Sequence, residues 1–150
     1  MNLALHASDA EDLAIISAHL QDAVGMMGDM TYLPKQRRFA MVLNRFVWMS
    51  GTKKGFFADK RPHRAQCGIH FDTVEGVKIK DLPQQEKDTA LELLAIRFES
   101  SGAEDDPSGT IELSFAGIAT VRLKVECIEC SMQDMGEPYP VKTKPRHRVS

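Results

Sequence analysis

Apolar and polar residues alternate over one stretch, Thr110–Val125, a second, Phe39–Trp48, is apolar almost throughout, and a third, Leu13–Val24, follows helical spacing. In the third, Leu13, Ile16, Leu20 and Val24 fall at three- and four-residue intervals, which puts them on one helical face. Ser8-Asp9-Ala10-Glu11 precedes them in the form of a capping box, with Ser8 as N-cap and Glu11 three residues on. Asp9, Glu11 and Asp12 suit the positive end of the helix dipole. These features predict a helix from Asp9 to Gln21, packed on the sheet that follows.

Tyr32 to Trp48 organises the rest of the reading. Ala23–Leu33 is a weak strand, with Gly25 and Gly28 marking a bend or bulge and Met26, Met27 and Met30 filling core gaps. Pro34-Lys35-Gln36-Arg37 is a turn. From Phe39 to Trp48 nearly every position is apolar, so this strand is expected to be central and covered on both faces. Ala65–Phe71 and Thr73–Lys80 form the next pair, joined by the turn chemistry of Asp72–Gly76. Leu91–Glu99 is read as a strand. Thr110–Phe115 and Thr120–Val125 alternate cleanly around Ala116-Gly117-Ile118-Ala119, the best hairpin in the chain. Val125, Ile128, Met132 and Met135 return to helical spacing and predict a closing helix ending near Gly136.

The expected class is therefore α+β, mostly antiparallel. About seven strands lie between N- and C-terminal helices, and a pleckstrin-homology-like barrel is favoured. The alternative is an open antiparallel sheet with helices on one face. Residues 1–140 read as one domain, and 141–150 as a basic, irregular tail carrying Pro145. At 150 residues, 43% apolar and 27% charged, the chain can build one ordinary globular core. No apolar run reaches the ~20 residues that span a bilayer, and the start of the chain lacks a secretory layout. Three cysteines do not make a paired disulfide framework, and they place the protein in a reducing cytoplasm.

Three segments, Glu11–Val24, Leu33–Phe46 and Ile111–Gly117, together with Arg122–Glu129, resemble a small bacterial family catalogued as a domain of unknown function. The resemblance implies a bacterial cytoplasmic protein and carries no activity, cofactor or catalytic residue with it.

Charge changes this picture locally. The net charge is only −2, yet Lys35 to Arg64 holds nine bases against one acid, Asp59, and Asp72 to Asp106 reverses the balance. Met49–Arg64 reads as a long excursion with Phe56-Phe57 among lysines, the kind of loop that often carries function. The expected binding residues are Lys35, Arg37, Arg38, Arg45, Lys53, Lys54, Phe56, Phe57, Arg61 and Arg64. They would form a non-catalytic binding or adaptor site on a basic hairpin turn and the 49–64 loop, with another protein as partner, or else an anionic ligand or nucleic acid. The competing reading is an enzyme or zinc-supported regulator. Cys67, His70, Cys127 and Cys130 supply thiolate and imidazole ligands in two spaced pairs, but Cys67 and His70 point to opposite faces if their strand is regular. His70 with Asp72 and Glu75 is a general-base candidate without an accompanying nucleophile. Glu104-Asp105-Asp106 reads as a solvated loop rather than a cation site. No cofactor is expected.

Overall fold

The structure is a computed structural model that describes residues 3–47, 62–82 and 89–141. In chain order the elements are β1 (Ala4–Ala7), α1 (Ala10–Leu20), β2 (Val24–Met26), β3 (Met30–Leu33), β4 (Arg38–Val47), β5 (His63–Phe71) and β6 (Val74–Lys80). They continue with β7 (Ala90–Ser100), β8 (Gly109–Phe115), β9 (Thr120–Val125), β10 (Cys130–Asp134) and β11 (Tyr139–Pro140).

Pairing is antiparallel throughout, in the order β1-β10-β5-β4-β2-β7-β8-β9-β6, with β3 also on β4 and β11 also on β5. The end strands β1 and β6 do not pair with each other, so the sheet is open, but it curls until the Val74 amide of β6 donates to the Arg37 carbonyl beside β4. Its inner face and α1 share one core. Leu13, Ile16 and Leu20 enter that core from the helix, which packs mainly on β7 and β1.

The expected α+β, mostly antiparallel class holds, and the helix begins within a residue of its expected position. Its cap is Asp9 rather than Ser8: the Asp9 carboxylate accepts from the Asp12 amide at 2.8 Å. Ser8 instead lies 3.1 Å from His6 Nε2. Among the described residues the strand count rises from about seven to eleven, because β1, β10 and β11 add to the expected set and the Ala23–Leu33 strand splits in two. It is broken by the 3-10 turn Met27–Asp29, and β2 and β3 lie end to end along one edge of β4.

The larger correction concerns the closing helix. Residues 130–134 form β10, with Cys130, Met132 and Asp134 inward and Ser131 and Gln133 outward. No α-helix besides α1 occurs among the described residues. The period of two was concealed because an aspartate occupies an inward position. The terminal helix on which the barrel expectation rested is thus a strand beside β5.

β4 behaves as a central strand. Phe39, Met41, Leu43 and Arg45 are buried, and the opposite row, Ala40, Val42, Asn44 and Phe46, is half-buried. Trp48 lies outside the described residues. Gly25 is the point where β2 presses on β4. A Cβ there would stand 2.8 Å from the Val42 carbonyl oxygen and 2.9 Å from Leu43 Cδ2. Backbone cannot yield as a flexible side chain can, so Gly25→Ala is expected to cost about 1–3 kcal/mol by overpacking. At Gly136 an added Cβ meets nothing within 4 Å, and Gly136→Ala should shift the urea midpoint far less. Equal shifts for the two variants would contradict this packing.

Candidate functional site

The two basic features expected to form one site are attached at opposite ends of β4. The turn Pro34–Gln36 precedes it, and the connection to β5 leaves after Val47, where Val47 faces His63. A ten-residue strand separates their points of attachment by ~30 Å. Lys53, Lys54, Phe56, Phe57 and Arg61 fall outside the described residues.

At the turn, Arg37 adopts the left-handed conformation at φ 51° and its carbonyl accepts from the Val74 amide at 2.8 Å. Its guanidinium meets Glu126 at 2.6 Å, and Arg38 Nε meets Asp72 at 2.7 Å. The other oxygen of Asp72 lies 3.3 Å from His70 Nδ1. This is an ion-pair approach whose angle does not make a hydrogen bond, since that nitrogen has no hydrogen-bond partner. Lys35 stands exposed. Arg64 donates to the carbonyls of Asp22 and Asn44 at 3.1 and 2.9 Å, and burial lowers its pKa.

Arg45 does not reach a surface. It lies on the inner face and forks onto Asp134 across β5, Nε to Oδ1 at 2.9 Å and Nη2 to Oδ2 at 2.8 Å. Asp134 also accepts from the Leu3 amide at 2.9 Å, while its own amide donates to the Leu3 carbonyl. Burial opposes ionisation of Asp134, but the hydrogen bonds from Arg45 and Leu3 outweigh it and hold the carboxyl below its ordinary range. Arg45 and Arg64 thus serve the fold.

The zinc set is not brought together. Cys67 and Cys130 face the core, opposite Asp134 and Phe71 respectively, four positions apart along β5 or ~13 Å. His70 is on the opposite face, and Cys127 sits in the connection before β10, its carbonyl accepting from the Thr73 hydroxyl at 3.0 Å. Among the described residues no three His, Cys, Asp or Glu are grouped to hold a metal ion. Glu75 is exposed on β6. In the acidic loop, Asp106 accepts from the Ser108 amide and the Ser101 hydroxyl, closing the β7–β8 connection.

What the ladders do assemble is the outer face of β1, β10, β5, β4 and β3. His6, Ser131, His70, Ala40 and Thr31 form one row across it; Ala4, Gln133, Gly68 and Val42 form the next. The small residues Ala40 and Gly68 leave the face hollow. A depression of about 520 Å³ lies over β3, β4, β5 and β10, and a second of about 320 Å³ lies over β1, β10 and β5. They share Gly68, His70 and Gln133.

In the second, Ser131 Oγ is 3.0 Å from His6 Nδ1, and His6 Nε2 is 2.6 Å from Glu129. A hydroxyl, an imidazole and a carboxylate so linked have the connectivity of an activated nucleophile. His6 and Glu129 are 54% and 39% exposed, so water damps that coupling, and the row offers donors and acceptors to a ligand. Sequence reasoning missed His6, Ser131 and Glu129 because only the β1–β10 register joins them.

The chain belongs to the family described as "Protein of unknown function (DUF2948)". The family model matches residues 3–147, which takes in every described strand and the helix. No curated protein and no solved structure matches the chain. None of the described helices is long and apolar enough to cross a membrane.

Two expectations concern the buried groups. Removing one member of a buried pair strands the other, so Arg45→Ala should destabilise by about 3–5 kcal/mol in urea unfolding, and Arg45→Met with Asp134→Leu should restore most of it. Because folding lowers the Asp134 pKa, its contribution is complete above the unfolded carboxylate pKa. It is lost as pH falls through the lower folded value, so the double variant should lose less stability than wild type on acidification. Burial, aided by the charge of Asp134 for Cys67 and of Asp72 and Glu129 for Cys130, pushes both thiols up to about 12. A thiol-reactive chromophore at pH 8 should label half-buried Cys127 first, and Cys67 and Cys130 only on unfolding. Rapid labelling of all three in the native protein would contradict their burial.

Proposed function

We propose that the protein is a non-catalytic binding module that engages another protein on the outer face of β3, β4, β5 and β10. The carrying observation is the depression of about 520 Å³ over β3, β4, β5 and β10. Its floor is apolar and small at Ala40, Val42 and Gly68. His70 and Gln133 offer hydrogen bonds, and Met135, 59% exposed, gives an adaptable rim. An anionic ligand at the turn would have to compete with Glu126 for Arg37 and with Asp72 for Arg38, which favours a protein partner. Within the same proposal, the curled sheet serves as a pleckstrin-homology-like scaffold, presenting one face and its loops. The free cysteines suit the reducing cytoplasm of a bacterium.

Gly68→Leu tests the reading. A Cβ at Gly68 meets only Met135 Sδ, at 3.6 Å, so the larger side chain fills the depression while the core stays intact. Pull-downs with wild type and Gly68→Leu should differ in a partner lost from the variant, with thermal stability preserved. Arg37→Ala with Arg38→Ala should weaken the same capture less, and in a salt-dependent way. An unchanged set of captured proteins with Gly68→Leu would overturn this surface.

A further inference from the structure

A second hollow lies elsewhere, on the outer face of β6, β9, β8 and β7. Its volume is about 600 Å³, within the range of small-ligand sites. The ladders explain it. Gly76, Lys124, Thr110 and Glu99 form one outward row, and Lys78, Arg122, Glu112 and Arg97 form the next. The irregular register between Val74 and Gly76 sets Gly76 beside Lys124. A Cβ on Gly76 would meet nothing within 4 Å, so the floor there is open. At the far end the β7–β8 connection closes the hollow with Ser101 and Ser108.

The lining is cationic. Lys78, Arg122 and Lys124 face a single carboxylate, Glu99. Arg122 already shares Glu99 and Glu112 at 3.3 and 3.8 Å, whereas Lys78 and Lys124 have no acidic partner among the described residues. Glu99 and Glu112 take up Arg122, which leaves Lys78 and Lys124 as the cations turned toward a ligand. A phosphomonoester carries nearly two negative charges at neutral pH and three strong acceptor oxygens. The hydroxyls of Thr110 and Ser108 suit a hydroxyl-bearing organic part, while that of Ser101 is held by Asp106. The hollow ends at the β7–β8 connection, which favours a compact ligand over a passing chain.

We infer that this hollow is a binding site for a small phosphomonoester of a polyol or sugar, with Lys78 and Lys124 holding the phosphate. The site is independent of the protein-binding face proposed above.

Calorimetric titration with glycerol 3-phosphate should show saturable binding that weakens as salt rises and as pH drops below the second phosphate pKa of about 6. Lys78→Ala with Lys124→Ala should weaken it by about tenfold or more, the scale of a lost charge-assisted contact. Gly76→Leu, which fills the floor, should abolish it. Lys35→Ala, outside the hollow, should leave it unchanged. The assignment is overturned by absence of saturable binding at millimolar ester or by undiminished binding in the lysine double variant. Inorganic phosphate binding as tightly as the ester, or a phosphoserine peptide binding more tightly, would also overturn it.

Discussion

Phe39 to Val47 pair with Phe71 to His63 in nine consecutive rungs, and this ladder decides what every neighbouring strand can do. Because strand side chains alternate, one unbroken register assigns Phe39, Met41, Leu43, Cys67, Ile69 and Phe71 to the core. It leaves Ala40, Val42, Gly68 and His70 outside. A slip of one residue would exchange the two sets. Phe39 and Phe71 face each other at 6.4 Å between ring centroids, which favours the observed register. Beyond β5 lies β10, and beyond that β1. Beyond β4 lie β2 and β3, and the rest of the curled sheet follows from β2.

The Arg45–Asp134 pair extends this constraint across three strands. Two charges are buried together, which is costly unless each finds its partners, and here the carboxylate accepts from Arg45 and from the Leu3 amide. The pair therefore fixes β10 against β5 and holds β1 at the edge. That edge placement creates the row His6–Ser131–His70, so an interior ion pair determines which polar groups meet on the opposite face of the sheet.

Much of this was legible in the chain. Alternation at Thr110–Val125 gave the β8–β9 hairpin, and the apolar run after Phe39 gave β4. The misreadings of β10 and of Arg45 had a common cause: a charged residue in a core position. Asp134 broke the alternation of β10 and let Ile128, Met132 and Met135 imitate a helix, while Arg45 looked like part of a basic surface. Tertiary partners, distant in sequence, make both residues acceptable inside. β1 was too short to show a period. The cysteine and histidine spacing suggested ligands, but ladder register sends Cys67 and His70 to opposite faces. The basic turn was correctly placed, yet its arginines are occupied by Glu126 and Asp72. The hollows could not be foreseen, since they depend on which small residues stand side by side across strands.

Both proposed binding surfaces lie on the outside of one spine: a hollow face over β4 and β5, and a cationic hollow on the far strands. Both require the β4–β5 ladder to remain closed. Amide hydrogen exchange followed residue by residue tests this most directly. The account predicts that the ladder amides of 39–47 and 63–71 exchange slowest, opening only with global unfolding and slowing no further than the stability measured in denaturant allows. Exchange there faster than in the β8–β9 hairpin would show that the spine lies elsewhere, and would contradict the account.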